Sequence, residues 1–174
     1  KVATMEPSDS RDVMNGHRAR VFAAQYHPLQ GHVFITGGWD DTVQYWDDRD
    51  QHSFRKFYGP HICGDSLDID PAHNHILTGS WRKEDTLQIW DFLSGEKIKD
   101  VPQDNLHGSL IYTAQWLGRD CIVCGGTDQN MARIIDRGTL NTVGQLVDLP
   151  QGVYCLHSDP GHTSKPRVAI GASN

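Results

Sequence analysis

The sequence has little of what a membrane protein, a helical protein or a general nucleic-acid binder requires. No apolar run approaches the ~20 residues that span a bilayer, and no basic-then-apolar leader opens the sequence. No extended stretch repeats apolar side chains with a helical period. The 16 Lys and Arg are outnumbered by 22 Asp and Glu, so the net charge is −6 and no excess of cations is available for phosphates. We therefore expect little helix, and partners other than membranes and nucleic acids.

Cysteine is also scarce. Four Cys in 174 residues do not suggest the disulfide framework of a small secreted domain, and they favour a reducing, cytoplasmic setting. The rest of the composition, 37% hydrophobic and 22% charged, is typical of a globular chain that buries a core. The sequence opens at Lys1 rather than at Met, so we expect a piece of a larger protein or a processed product.

What the sequence has instead is a repeat. The phrase TGGWDDTVQYWD at 36–47 returns as TGSWRKEDTLQIWD at 78–91. A second phrase occurs four times, with starts 42 to 47 residues apart. Its copies are VFAAQYHP (21–28), GDSLDIDP (64–71), IYTAQWLG (111–118) and VYCLHSDP (153–160). Because internal repeats of this period are a signature of repeat architectures, we predict four copies of one structural unit.

Each unit is predicted to contain four short strands. The second phrase supplies the first strand, and the segments after it are apolar, alternating or mixed in charge, as expected for a second strand, a half-buried third strand and an exposed fourth strand. These segments are HVFITGG (32–38), DTVQYWD (41–47) and SFRKFY (53–58), then NHILTGS (74–80), DTLQIWD (85–91) and EKIKDV (96–101). A four-stranded antiparallel unit cannot bury both of its faces alone. Radial stacking of such units gives a β-propeller, so the predicted fold class is all-β.

Two short motifs carry a family resemblance. Gly-His at 16–17, followed some thirty residues later by Trp-Asp at 46–47, resembles a WD40 repeat, and Trp-Asp at 90–91 closes a second one. The resemblance implies blades of four antiparallel strands. It also implies a non-catalytic scaffold or adaptor that binds other proteins or peptides, with no cofactor and no metal.

The repeat divides the chain into about three and a half blades. The predicted parts are the end of a preceding blade or a linker (1–15), blade 1 (16–58), blade 2 (59–104), blade 3 (105–148) and a partial blade 4 (149–174). The segment RVAIGASN (167–174) aligns with a second strand, so blade 4 lacks its third and fourth strands. We expect the ring to be completed by the remaining blades of a larger propeller or by a second copy of the chain.

The resemblance further implies a buried tetrad of hydrogen-bonded side chains. In the family, its members are a His, a Ser or Thr on the second strand, an Asp in the following turn and a Trp on the third strand. Copy one supplies all four, as His17, Thr36, Asp40 and Trp46. These residues are predicted to be structural, since a buried polar group left unpaired costs about 1–3 kcal/mol.

The tetrad weakens along the chain. In copy two, Thr78 and Trp90 are present with Glu84 or Asp85 as the acid, but His61 falls one place late. Copy three keeps His107 and Asp128, has Cys124 and Ile135 in place of Thr and Trp, and is followed by a copy with no matching His.

Three motifs imitate catalytic or metal chemistry. Gly-Asp-Ser-Leu at 64–67, with the pair Asp70 and His73, resembles the nucleophile block of a serine hydrolase family, which makes a hydrolase at Ser66 the remote alternative function. The segment occupies a predicted first strand instead, without a nucleophile turn. Cys121 and Cys124 would point to opposite faces of a strand and cannot share one zinc ion. The pair His73 and His75 is interpreted as solvated loop histidines.

The candidate partner-binding residues lie just before the acidic turns of two blades. Trp39 and Trp81 occupy corresponding places, and Arg82 and Lys83 follow Trp81 as a basic tip. Exposed Trp at the loop face would be a natural hot spot for a partner. Packing of both rings between blades is the alternative. A second hypothesis for function is a structural subunit of a large assembly that uses the blade flanks as its interface.

Overall fold

The chain forms a series of small antiparallel sheets. The computed structural model describes residues 4–10, 14–103, 108–159 and 166–173, and no helix occurs in these ranges. The strands are β1 (Val21–Tyr26), β2 (Val33–Gly38), β3 (Thr42–Asp47), β4 (Arg55–Tyr58), β5 (Leu67–Asp70), β6 (His75–Gly79), β7 (Leu87–Asp91), β8 (Lys97–Asp100), β9 (Ser109–Leu117), β10 (Cys121–Asp128), β11 (Ala132–Asp136), β12 (Thr142–Leu146), β13 (Val153–Asp159) and β14 (Arg167–Ala172).

The strands are grouped in chain order. β1–β4, β5–β8 and β9–β12 each make a four-stranded sheet, and β13 pairs with β14 in a two-stranded sheet. Every pairing is antiparallel between neighbours in sequence. The predicted all-β architecture of four-stranded blades is confirmed, and the ring is not closed. We call the four sheets blades 1 to 4.

The third strand of each of the first two blades is buried on both faces. The prediction of a half-buried third strand is therefore wrong, because Thr42 and Gln44 have no exposed surface. Their polar groups satisfy one another and the segment before β4, since Gln44 Nε2 donates to Thr42 Oγ1 at 3.3 Å and Ser53 Oγ donates to Gln44 Oε1 at 2.5 Å. In blade 2 the third strand lies between two blades. In blade 1 the segment before β1 covers the face away from blade 2, since His17 Nε2 lies 2.6 Å from Thr36 Oγ1, directly across from Gln44. A strand covered on both faces has no solvent face, and its polar residues must find partners inside.

The blades pack through glycines at the end of the second strand. The Ile62 side chain lies against Gly37 of the preceding blade, where an added Cβ would collide with it. In the next two blades the same site is Gly79 against Ile111 and Gly125 against Val153, and a Cβ at either glycine would lie 2.5 Å from the facing side chain. The glycine in the second strand of each of these blades thus leaves room for a side chain of the next blade. We call each of these contacts a glycine socket.

The core is divided among the blade interfaces. Among the described residues, 11 buried apolar side chains form the cluster between blades 1 and 2, and 10 form that between blades 2 and 3. The cluster between blades 3 and 4 holds only Leu117, Val123 and Leu156 as buried members. In the described part of the chain, no helix has the length and apolarity needed to cross a membrane.

The outer half of blade 3 is poorly covered. Its fourth strand exposes 62% of Val143 and 54% of Leu146, and Ile170 of blade 4 is 36% exposed. Blade 4 has only β13 and β14 to place over this face. The open flank is consequently more apolar than an ordinary surface.

Candidate functional site

Blade 1 contains a continuous chain of buried side-chain hydrogen bonds. Trp46 Nε1 on β3 donates to Thr36 Oγ1 on β2 at 2.7 Å. The Thr36 oxygen lies 2.6 Å from His17 Nε2, and His17 Nδ1 lies 2.9 Å from Asp40 Oδ2. If Nδ1 carries the proton and donates to Asp40, Nε2 accepts the Thr36 hydroxyl proton. All four residues suggested by the family pattern in this copy are brought together.

Asp40 is held as a carboxylate by this chain. Burial by itself raises its pKa, but hydrogen bonds from His17 and Thr42 outweigh burial and lower the pKa to about 2. The Arg18 main-chain N–H adds a further bond, at 3.1 Å. The carboxylate therefore joins the segment before β1 to the turn between β2 and β3, which fixes the loop face of blade 1.

Blade 2 keeps only half of the arrangement. Trp90 Nε1 donates to Thr78 Oγ1 at 2.9 Å, as its counterpart does in blade 1. His61 turns elsewhere, because its Nδ1 lies 2.7 Å from Asp41 Oδ1 in the turn of blade 1. Both acids offered by the sequence, at 84 and 85, are exposed. His61 thus ties two blades together instead of completing a tetrad.

Blade 3 replaces the hydrogen bonds with apolar packing. Cys124 and Ile135 are 2% and 0% exposed and belong to the cluster between blades 2 and 3. Burial raises the pKa of the Cys124 thiol to about 11, which leaves the thiol protonated and unreactive. Asp128 is exposed at a positive φ of 78°. His107 lies outside the described residues.

Trp39 and Trp81 are both partly exposed and partly packed. The exposed fractions are 43% for Trp39 and 39% for Trp81. The Trp39 indole N–H donates to Cys63 Sγ at 2.7 Å, and its ring lies 5.1 Å from the Phe22 ring. The Trp81 ring lies 6.2 Å from that of Tyr112 in blade 3. Each ring is thus partly packed and partly exposed, and the Trp39 ring also has the Arg20 guanidinium 5.4 Å from its centre.

The two basic residues after Trp81 differ from each other. Arg82 is half-buried, and its guanidinium donates to the Gly59 carbonyl and, at 3.4 Å, to Ser80 Oγ. Lys83 is exposed, and its carbonyl accepts a bond from Gln103 Nε2 at 2.7 Å. Lys83 therefore has an exposed side chain two residues after Trp81, whereas the Arg82 guanidinium is held by the main chain.

The hydrolase-like motif has the environment of a core strand. Ser66 is fully buried, and its hydroxyl donates to the Gly79 carbonyl at 2.7 Å. His73 Nδ1 is bonded to Asp70 Oδ2 at 2.7 Å, and Asp70 also accepts a bond from Arg137. A buried hydroxyl committed to a main-chain carbonyl has no base to activate it and no access to substrate.

The remaining cysteine and histidine motifs bring no metal ligands together. All four cysteines are free thiols. Cys121 faces blade 4 and Cys124 faces blade 2, as residues three apart on one strand must. His75 Nδ1 lies 2.7 Å from an Arg137 nitrogen. No group of three or more His, Cys, Asp or Glu among the described residues is placed to hold a metal ion.

Sequence reasoning missed the aromatic residues that continue the loop face. Phe22, Tyr112 and Tyr154 all hold the second position of the repeated phrase. The Tyr112 and Tyr154 rings are 5.1 Å apart in neighbouring blades. Burial raises the pKa of Tyr112, and the charge of the Cys63 thiol adds to the effect. The shared phrase position was the signal that could have identified them.

A second missed feature fastens the first strands of neighbouring blades. The Trp116 main-chain N–H donates to Asp68 Oδ2 at 2.8 Å, and that of Ser158 donates to Gln115 Oε1 at 3.2 Å. Both acceptors hold the fifth position of the repeated phrase and both donors the sixth. A cavity of about 830 Å³ lies along these strands.

The comparisons with known proteins agree with this geometry. The family model for the WD domain, G-beta repeat, matches residues 8–47, which include the whole of the blade 1 tetrad. Residues 8–47 thus match a WD40 repeat, and the chain as a whole forms an open series of antiparallel β-propeller-type blades.

A curated protein with low sequence identity is also similar to the chain. The chain is similar to Protein tipD of Dictyostelium discoideum, with 22% identity over 141 residues. The alignment covers 80% of this chain and 22% of tipD, so the chain corresponds to about a fifth of that protein's length.

Proposed function

We propose that the chain is a non-catalytic scaffold or adaptor that holds other proteins at the loop face around Trp39 and Trp81. WD40 repeats in general mediate protein–protein interaction, and the docking face is what this chain adds. We place it in the cytoplasm, a proposal supported by its four free thiols.

The observation that carries the proposal is the pair of half-exposed indoles. A Trp held rigidly on one side and open on the other offers a large apolar area at little cost in conformational entropy. The hydrogen bond to Cys63 fixes Trp39, and the main-chain bond from Trp81 N to the His61 carbonyl, at 2.8 Å, fixes the second site. Two such anchors at corresponding places in neighbouring blades form one binding face.

A co-precipitation experiment tests this function. The tagged chain is incubated with lysate beside Trp39→Ala and Trp81→Ala, and the retained proteins are identified and quantified by mass spectrometry. Tyr26→Ala is the matched control, because Tyr26 is 53% exposed at the end of β1, where it pairs with Phe34 at the opposite end of the sheet from the Asp40–Asp41 turn. We expect a defined set of proteins to be lost at least about tenfold in both Trp variants and kept in the control. Equal retention by all four proteins would refute the docking face.

Iodide quenching provides an independent check of accessibility. The three remaining tryptophans, Trp46, Trp90 and Trp116, are at most 7% exposed. We therefore expect quenching in the wild type to arise from Trp39 and Trp81, and to vanish nearly completely in the double Ala variant.

A structural role in a larger assembly is the second candidate. The observation that favours it is the open flank, with Val143, Leu146 and Ile170 of the last two blades exposed. In this case the flank would be the interface, and the Trp variants would leave assembly unchanged.

A further inference from the structure

Three aromatic rings from successive blades form a cluster on the loop face. The Tyr112 ring lies 6.2 Å from Trp81 and 5.1 Å from Tyr154. Trp81 and Tyr154 are 39% and 45% exposed, and Tyr112 between them is half-buried. We call these residues the three-ring cluster. Their faces offer the negative side of an aromatic quadrupole to anything that docks there.

An acidic residue breaks the aromatic pattern next to the cluster. The second position of the repeated phrase is Phe22, Tyr112 or Tyr154 in three copies and Asp65 in the remaining one. Asp65 is exposed, and its carbonyl accepts the Ala114 N–H at 3.2 Å. The preceding Gly64 is pressed against the main chain of Tyr112, where a Cβ would not fit. The Asp65 segment is therefore fixed beside the cluster.

The surroundings of Asp65 are acidic. It opens onto the 830 Å³ cavity, whose wall carries five aspartates against one arginine, namely Asp65, Asp68, Asp70, Asp120, Asp159 and Arg119. Asp70 and Asp159 are paired with arginines. In the described part of the chain, no Lys or Arg lies within ion-pair distance of the other three. Burial raises the pKa of Asp68, and the neighbouring charge of Asp65 raises it further, to about 6, as expected for uncompensated negative charge.

Other aromatic rings of the chain already hold cations. The Arg20 guanidinium lies 5.4 Å from the Trp39 ring centre, and that of Arg137 lies 4.2 Å from Trp116. No described Lys or Arg lies over the rings of the three-ring cluster. Arg82, the neighbour of Trp81, directs its guanidinium to the Gly59 carbonyl. Within the described residues, the faces of the cluster are therefore open to a cation of another molecule.

We propose that the three-ring cluster and Asp65 bind one lysine or arginine side chain on an extended segment of a partner protein. The aromatic faces attract the cation and the carboxylate neutralises it, while apolar neighbours in the segment pack on the exposed Trp81 ring. The inference rests on the proposed scaffold function and specifies the chemistry of its partner. The chain's net charge of −6 likewise favours a positively charged partner.

Four pools of fluorescein-labelled seven-residue peptides test the inference. The pools share random Ala, Leu and Ser flanks and differ at the central position, which is Lys, Arg, norleucine or Glu. Fluorescence anisotropy with the whole 174-residue chain measures binding at low and high salt. We expect the Lys or Arg pool to bind at least about tenfold more tightly than norleucine, to weaken with salt, and the Glu pool not to bind.

Charge and ring variants locate the site. Asp65→Asn should weaken the binding of the basic pool about tenfold, and Tyr154→Ala several-fold. Asp50→Asn and Tyr26→Ala are the matched controls, because both residues are exposed and lie at the end of blade 1 opposite the turn between β2 and β3. Both should bind like the wild type. Thermal melts by circular dichroism confirm that each variant is folded.

The outcomes separate this inference from the scaffold proposal. Equal binding of the norleucine and Lys pools, unchanged binding by Asp65→Asn, or no binding of any pool would overturn the basic-segment inference. In each case, loss of co-precipitated proteins from the Trp39 and Trp81 variants would still support the scaffold. If the basic pool binds through Asp65 while both Trp variants retain every protein, the peptide site stands and the Trp face fails.

Discussion

The hydroxyl of Thr36 is the branch point of the blade 1 tetrad. It serves Trp46 Nε1 on one side and His17 Nε2 on the other, so its removal leaves two buried groups without a partner. In blade 2, the corresponding Thr78 serves Trp90 Nε1 but no His. The same side chain therefore has different importance in two copies of one phrase.

Replacing this hydroxyl measures the difference. Thr36→Val should lower the free energy of unfolding by about 2–3 kcal/mol, and Thr78→Val by about 1 kcal/mol, because two unpaired groups cost more than one. Urea denaturation followed by Trp fluorescence gives both values. Equal losses would mean that the bond to His17 contributes nothing.

The carboxyl group of Asp68 gives a pH dependence of opposite sign to that of Asp40. Its folded pKa, about 6, lies above the ordinary value of 3.8, so the folded state binds the proton more tightly. The stability that Asp68 contributes is full below pH ~4 and is lost as the pH rises through ~6. We expect the wild type to gain about 1–2 kcal/mol over Asp68→Asn between pH 7 and pH 4. Denaturant melts of the two proteins at each pH give the difference, and a pH-independent difference would contradict it.

At this scale, the sequence predicts a contact best when both partners belong to one repeat. His17 and Trp46 could be matched to their roles because the phrase fixes their spacing. The bond from His61 to Asp41 crosses from one blade to the next. No local pattern encodes such a pairing, because it depends on how two blades are rotated against each other.

Among the elements, the glycine socket at the end of the second strand sets the distance between blades. Ile62 enters the socket at Gly37 with its terminal methyl group first. Gly37→Ala should cost about 1–3 kcal/mol by overpacking, and Ile62→Val about 1 kcal/mol by loss of a buried methyl group. The double variant should lose clearly less than the sum, because Val lacks the methyl group that collides. Additive losses in urea denaturation would refute the socket, and Gly31→Ala, at an open position, is the control.

Strand positions were predictable and strand burial was not. Alternation of apolar and polar residues located β3 and β7 correctly. It failed to show that Gln44 and Gln88 lie in the interior, 0% and 4% exposed, because the same alternation describes a strand with one wet face. Gln88 Nε2 donates a hydrogen bond to Asp100 Oδ1 on the fourth strand at 2.7 Å. Only the packing of a further part of the chain on that face, blade 1 for Gln88 and the segment before β1 for Gln44, distinguishes the two cases.

For the whole molecule, the open flank predicts self-association. Val143 and Leu146 of blade 3 and Ile170 of blade 4 are all exposed, and a large exposed apolar area seldom remains uncovered. Light scattering should give a mass above 19.5 kDa that rises with concentration, and Leu146→Glu with Ile170→Glu should restore the monomer. If the wild type were a monomer at every concentration, the prediction would be wrong. The expectation that a second copy of the chain completes the ring would be wrong as well.

The repeat period was sufficient to predict the series of blades, because one phrase recurs at every first strand. The same reasoning predicted only some of the aromatic residues of the proposed docking face. Trp39 and Trp81 stand out within the phrase TG-x-W, whereas Tyr112 and Tyr154 become neighbours of Trp81 only when three blades are stacked. The distances between aromatic rings of different blades depend on how the blades stack, and no single repeat contains them.

The unequal interfaces between blades imply that the molecule opens from one side. The apolar cluster between blades 3 and 4 has three buried members, with Val153 buried separately against Gly125, where the other clusters have 10 and 11. Each blade is held by its neighbours alone. Amide protons of β13 and β14 should therefore exchange with deuterium first, those of β9–β12 later and those of β2, β3, β6 and β7 last. A chain with such a graded interior would unravel in steps, and uniform protection across all strands in mass-spectrometric exchange would show that it does not.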